Sequence, residues 1–412
     1  MKEKFKKHDN LVLTAIILLI SILSTITQET TVGDEIWNFQ NVYKMVNGYI
    51  IYNDANVIIT PIFFIIAKLI LKIFGSNILI FRLYGAIIYT SFILLIYNIL
   101  KALKLQKREA FMYTFLINIS FYKILNVSAN YNLLAIVFIL LGILASIKFL
   151  GQKKFNIING IVIFLVLFTK QNIGAYYLIG TVLSQLCIRK IDENMAPIKL
   201  NKVIINIIKQ LFISIILTII SLIIMKLYGN LDGFINYCVL GIGEFAKNNR
   251  GLEIVTIAYF ALASVILLFA IIIIKINKDK IDIKNAIILL FIIGIPLLLI
   301  SYPIVNIYHT LFAIVVLVIL LIYMLHISIL KDFLNKKIIN IIIGLLIVIS
   351  ILTSVYNFTK NARYIKLDIN YNNPYYGAVL SPEMEQKIEE VNNYINKKNE
   401  KSIIFGRGCS NL

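Results

Sequence analysis

At 412 residues, 59% of them hydrophobic and only 15% charged, the chain has too little polar surface for a soluble protein of its size. Its formal charge of +19 is divided among short segments between apolar runs, which argues against the single basic groove or face that nucleic-acid binding needs. The runs are roughly 17 to 25 residues long, the length a helix needs to cross hydrocarbon, so the composition specifies an all-α integral membrane protein.

Eleven spans are expected, at residues 11–27, 78–100, 110–127, 131–150, 157–171, 173–188, 203–228, 253–274, 286–303, 308–330 and 338–357. No small-residue cleavage motif follows the first, so it reads as an anchor. Basic clusters occupy every second connection: Lys2 to Lys7, Lys101 to Arg108, Lys153-Lys154, Arg189 to Lys202, Lys275 to Lys284 and Lys331 to Lys337. By the positive-inside rule these face the cytoplasm of a plasma-membrane protein, with the N-terminus inside and everything after Phe358 outside. Residues 1–357 are then the membrane domain, and 358–412 an extracytoplasmic tail that can be complete or truncated.

Just beyond the first span stands Gly33-Asp34-Glu35-Ile36-Trp37, two carboxylates in a chain that has few, and the leading candidates for catalysis. The apolar stretch 57–74 would reverse the charge parity if it crossed. Pro61 can open a helix, and Lys68 and Lys72 share one face, so an interfacial or re-entrant helix is expected in a large first outer loop. Lys123 lies near the outer end of the third span. Lys170-Gln171-Asn172 interrupts an apolar run, predicting a tight outward turn whose lysine either meets a partner or snorkels.

The loop 229–251 carries Asp232, Tyr237, Glu244, Lys247 and Arg250, and Tyr302-Pro303 and Tyr308-His309 flank a short outer turn. In the tail, Ser381-Pro382-Glu383 opens a helix expected over 382–397, followed by a strand at 401–405, an α/β-like unit. Neither Gly241-Ile242-Gly243 nor Gly406-Arg407-Gly408 makes a dinucleotide fingerprint. Cys187, Cys238 and Cys409 read as unpaired bystanders.

Taken together, Gly33-Asp34-Glu35, Gly48-Tyr49-Ile50-Ile51-Tyr52-Asn53-Asp54 followed by Thr60-Pro61-Ile62, Phe74-Gly75, Phe81-Arg82-Leu83, Thr169-Lys170-Gln171 and Tyr308-His309 resemble polytopic glycosyltransferases of the GT-C superfamily. These use polyprenyl-phosphate-linked sugars and include protein O-mannosyltransferases and lipid A aminoarabinose transferases. The chain departs from them at Thr60-Pro61, where members carry two prolines, and at Asn126, Asn130 and Asn132, where they carry an acid.

The resemblance implies transfer of a hexosyl or pentosyl unit from a polyprenyl-phosphate donor to a glycan, lipid or protein acceptor at the outer face of a bacterial envelope. A sugar on a lipid phosphate already has a good leaving group, so departure needs cations and the incoming hydroxyl needs a base. Asp34 is the candidate base in a single inverting displacement, with Glu35 orienting it or the acceptor. Lys170, Arg250 and Arg82 are candidates for the donor phosphate, and Asp54, Tyr52, Tyr308 and His309 for positioning acceptor or loop. No protein metal ligand is assigned, and a divalent metal is left open as cofactor. A transporter or flippase of a lipid-linked or small polar substrate, or a noncatalytic envelope scaffold, are the alternatives.

Overall fold

The computed structural model describes residues 2–30, 33–122, 129–190, 196–248, 251–330, 361–367 and 370–398, with single positions between 341 and 360. α1 covers Lys2–Thr27. Two short helices follow, α2 (Asp34–Val46) and α3 (Ile62–Phe74), before α4 (Ile78–Ala102), α5 (Lys107–Tyr122) and α6 (Tyr131–Phe149). α7 (Lys153–Leu167) and α8 (Gln171–Cys187) make a hairpin, and α9 (Leu200–Leu227) packs along α7. Next come α10 (Leu231–Phe234), which runs into a π-helical stretch over Ile235–Leu240, and α11 (Ile242–Asn248). β1 (Gly251–Leu252) pairs in parallel with β2 (Ile304–Val305), Gly251 opposite Ile304. Between them lie α12 (Val255–Ile276) and α13 (Ile281–Leu297), and after them α14 (Ile307–Leu330) and the tail helix α15 (Pro382–Lys398).

Six of the described helices are long and apolar enough to cross a membrane: α4, α6, α9, α12, α13 and α14. The protein is a multi-pass helical membrane protein; of the eleven expected spans, these six coincide with helices of spanning length, and the last, 338–357, lies mostly outside the described residues. α5, α7 and α8 are shorter, of 16, 15 and 17 residues. The two faces of the bundle differ by what covers them. In α14, 83% of the apolar window is buried in protein, against 11% in α9, whose Ile208, Phe212, Ile215, Ile219 and Ile223 are exposed. Such an apolar stripe persists only where lipid replaces water.

α7 begins at Lys153 and stops at Leu167, earlier than the expected span 157–171, because the chain turns through Phe168, Thr169 and Lys170. The stretch 57–74 holds one 13-residue helix, α3, started by Pro61. At about 1.5 Å per residue it is shorter than the hydrocarbon thickness. The loop 229–251, expected to be polar, is largely helical, and Phe234 and Cys238 are buried in it. Phe234 sits between Tyr52, with ring centroids 5.5 Å apart, and Phe168, at 6.1 Å. Lys123, Arg250 and the predicted strand 401–405 lie outside the described residues.

The tail folds back onto the start of the chain. Thr30 N–H donates to Val379 O at 2.8 Å, and Val379 N–H donates to the Thr30 hydroxyl at 2.9 Å. The exposed N–H groups opening α4 are used in the same way, Ile78 donating to Pro374 O at 2.9 Å and Leu79 to Tyr376 O at 3.1 Å. Ala378 and Val379 are buried there.

Candidate active site

α2 has two working faces, and adjacent acids fall on different ones. Asp34, Trp37, Asn41 and Lys44 recur at helical spacing and line a cavity of about 750 Å³, whereas Glu35, Asn38, Phe39, Val42 and Met45 are buried on the opposite side. Successive helical residues are about 100° apart, which separates Asp34 from Glu35.

The other walls come from the openings of further helices: Tyr131 and Asn132 of α6, Lys170 with Gln171 and Asn172 of α8, and His309 of α14. Four helix N-termini, those of α2, α6, α8 and α14, thus meet at one cavity. The dipoles of all four, with the opening turns of α2 and α8 that no side chain caps, make the region favourable for an anion, while Asn130 caps α6 and Asn306 and Glu253 accept from the first N–H groups of α14. Phe245 of α11, Tyr302, Pro303 and Ile304 close the remaining side.

Lys170 is held by its backbone. Thr60 donates its hydroxyl to Leu167 O at 3.1 Å, Ile62 N–H donates to Phe168 O at 2.9 Å, and the Gln171 amide donates to Ile58 O at 2.7 Å. The Thr60-Pro61 segment is therefore a clamp on the α7–α8 turn. The ammonium lies 4.8 Å from the centre of the Tyr131 ring, a cation–π contact, and makes no ion pair within 4 Å among the described residues. Burial pulls Lys170 down to about 8, opposed by the charge of Asp34. Asp34 is open to the cavity but hemmed in by protein, so desolvation holds its carboxyl above the ordinary carboxylate value, opposed by Lys170. Each charge opposes the desolvation that disfavours the other.

Glu35 and Arg82 meet away from the cavity. Arg82 donates from Nε to Glu35 Oε1 at 2.8 Å and from Nη2 to Oε2 at 3.1 Å, with the side chains 1% and 3% exposed. Its remaining donors reach Gln28 O at 2.8 Å and the Thr30 hydroxyl at 3.0 Å. The guanidinium expected to meet a phosphate is instead satisfied by protein, and the geometry ties α4 to the root of α2 and, through Thr30, to the tail. Asp54 accepts from Ile50 N–H at 2.6 Å across a turn, and Tyr52, buried with φ 74°, donates its hydroxyl to Ile59 O at 2.7 Å. Both shape the loop and neither lines the cavity. Tyr308 is exposed and also off the cavity, while His309 is on it. Asn306 Oδ1 accepts from His309 N–H at 2.9 Å and lies 2.8 Å from Nδ1, an arrangement in which Nδ1 carries the proton. Among the described residues, no three of His, Cys, Asp or Glu gather at metal-binding spacing.

The sequence reading brought Asp34, Lys170 and His309 to the cavity but missed Trp37, Lys44, Tyr131, Asn132 and Phe245. The polar stripe Asp34, Trp37, Asn41, Lys44 at a 3.6-residue period was the signal for the first two.

The architecture has a solved counterpart. Over 79% of this chain and 61% of the other, it superposes on ArnT from Cupriavidus metallidurans bound to undecaprenyl phosphate, with a TM-score of 0.56 and 12% identity. The fold is GT-C-like. The chain spans about three fifths of that neighbour's length. No protein-family model matches the sequence, and no curated protein does.

Proposed function

We propose that the protein transfers a sugar from a polyprenyl-phosphate donor to an envelope acceptor at the outer face of the membrane. The observation that carries this reading is Asp34 and Lys170 facing one cavity where four helix N-termini converge. The GT-C-like fold, shared with a structure that holds undecaprenyl phosphate, supports it independently.

In the proposed reaction Asp34 accepts the proton of the acceptor hydroxyl. The freed oxygen attacks the anomeric carbon, the bond from that carbon to the phosphate oxygen breaks, and the lipid phosphate leaves with the electron pair. Lys170 and the converging helix dipoles, with the uncapped opening turns of α2 and α8, stabilise that departing charge. One displacement inverts the anomeric centre. A raised carboxyl suits a base that must take up a proton and give it away again. Glu35 and Arg82 act as positioning residues by holding α2 so that Asp34 meets the cavity. Outer placement follows from the charge parity, since the connections that build the cavity alternate with the basic ones.

Reconstitution with a radiolabelled polyprenyl-phosphate sugar tests the reading. A transferase consumes the donor, a flippase moves it intact, and a scaffold does neither. Asp34→Asn should lower transfer more than about a hundredfold while leaving donor binding in place. Turnover near that of the unaltered protein would remove Asp34 as base.

A further inference from the structure

His309 lines the cavity and has no step in the proposed transfer, yet its ring is fixed in place. β2, paired with β1, leads into Asn306, and α14 begins at the next residue. Asn306 Oδ1 accepts from the His309 N–H at 2.9 Å, and Asn306 O accepts from the Thr310 N–H at 3.0 Å and the Thr310 hydroxyl at 2.8 Å. Glu253, just after β1, accepts from Ile307 N–H at 3.1 Å and donates its own N–H to Val305 O at 2.8 Å. The first turn of α14 is thereby tied to the β1–β2 pair, and His309 is carried on that turn.

The Asn306 oxygen also decides where the imidazole proton sits. Oδ1 lies 2.8 Å from Nδ1 of His309. The amide cannot be turned over, because its NH2 group would then face the His309 N–H, donor against donor. An amide oxygen only accepts, so Nδ1 carries the proton and, in the neutral ring, Nε2 is bare. Nε2 has no hydrogen-bond partner among the described residues and is not one of the polar atoms closed to water. The ring is half-buried on the cavity wall, which puts this nitrogen within reach of a ligand. A bare imidazole nitrogen accepts a hydrogen bond and donates none. The phosphodiester of a sugar-bearing lipid has no proton to offer and neither has an isoprenoid chain, whereas a hydroxyl has one.

We infer that His309 Nε2 accepts a hydrogen bond from a non-reacting hydroxyl of the substrate, on the donor sugar or on a polyol acceptor. The inference rests on the sugar-transfer reading above and gives that site a second acceptor beside the Asp34 carboxylate. Asp34 takes the reacting proton; the hydroxyl at His309 keeps its own and is oriented by it, with Asn306 as the positioning residue that holds the ring in the accepting tautomer.

Protein with its histidines labelled for nitrogen NMR tests this, since the chain has three and loss of a signal in His309→Phe identifies the one concerned. At pH about 7.5 a bare lipid phosphate is mostly dianionic and has no hydrogen to donate. In the unliganded protein Nε2 should resonate as an unprotonated ring nitrogen. Polyprenyl phosphate carrying a pentose or a hexose, or a methyl glycoside added together with bare polyprenyl phosphate, should shift it, and bare polyprenyl phosphate alone should not. A shift with the sugar-bearing lipid places the hydroxyl on the donor; a shift with the methyl glycoside only places it on the acceptor. His309→Phe should weaken binding of the ligand that shifts the signal by about three- to tenfold, the effect of one hydrogen bond, and leave bare-lipid affinity unchanged. His309→Gln, whose Oε1 reaches toward the position of Nε2, should keep most of that affinity. A ring needed only for packing would be replaced better by phenylalanine than by glutamine, and that order would overturn the inference. So would a proton on Nε2 in the unliganded protein, an equal shift with bare polyprenyl phosphate, or an unmoved signal while the sugar-bearing lipid binds; in each of these the transfer reading stands. If no lipid binds at all, both fall.

Discussion

Replacing Arg82 with methionine keeps the volume of the side-chain stem and removes four hydrogen bonds: two to Glu35 and one each to Gln28 O and the Thr30 hydroxyl. Glu35 is 3% exposed, so its carboxylate is left buried without its cation. Breaking a buried pair by removing one partner costs about 3 to 5 kcal/mol, while replacing both with apolar groups is often close to neutral. Arg82→Met should therefore be destabilised by about 3 to 5 kcal/mol, and Glu35→Leu/Arg82→Met by clearly less. The sole tryptophan, Trp37, lies on the same helix as Glu35, with its ring 6.1 Å from that of Phe64, and its fluorescence during unfolding in detergent reports the displacement. Losses that simply add in the double variant would refute the pairing. Unchanged stability in Arg82→Met, together with weaker lipid-phosphate binding, would return Arg82 to the donor site.

Three further tests address the cavity and its supports. Lys170 is charged below about 8, so lipid-phosphate affinity should be full at lower pH and decline as pH rises through that value, and Lys170→Arg should extend it upward. The same shift has a stability consequence with a definite sign: between about 8 and the ordinary 10.5 the unfolded chain binds more protons at this residue, so its contribution makes the fold more stable as pH rises across that window. Thr30→Val deprives Val379 N–H and Arg82 Nη2 of their shared acceptor, and limited proteolysis should release the tail faster than in the unaltered protein. A Cβ on Gly174 would stand 2.5 Å from Leu167 Cα, so Gly174→Ala should force the α7–α8 turn apart, cost about 1 to 3 kcal/mol and weaken lipid-phosphate binding measured by titration.

Much of this was legible in the sequence because it depends on composition and local periodicity. Apolar runs fix where helices form in hydrocarbon, Pro61 opens α3, and the interruption at Lys170 announced the turn that brings it to the cavity. Alternating basic clusters also grouped the connections that meet there. What the sequence could not apportion was the work of neighbouring charges. Asp34 and Glu35 read as two parts of one reaction centre, but the helix turns one toward the cavity and the other toward Arg82, 47 residues away. Arg82 near the start of a span looks like a phosphate ligand until Gln28, Thr30 and Glu35 are seen to fill its donors. The tail's place beside Thr30, 349 residues away, leaves no local trace, because the hydrogen bonds docking it at Thr30 and at the start of α4 include backbone groups that every chain possesses and a single hydroxyl. Local patterns determined which groups are charged, helical or apolar. Only three-dimensional packing decided which charges neutralise each other inside the protein and which remain for a ligand, because pairing depends on distance in space and on the water each group has lost.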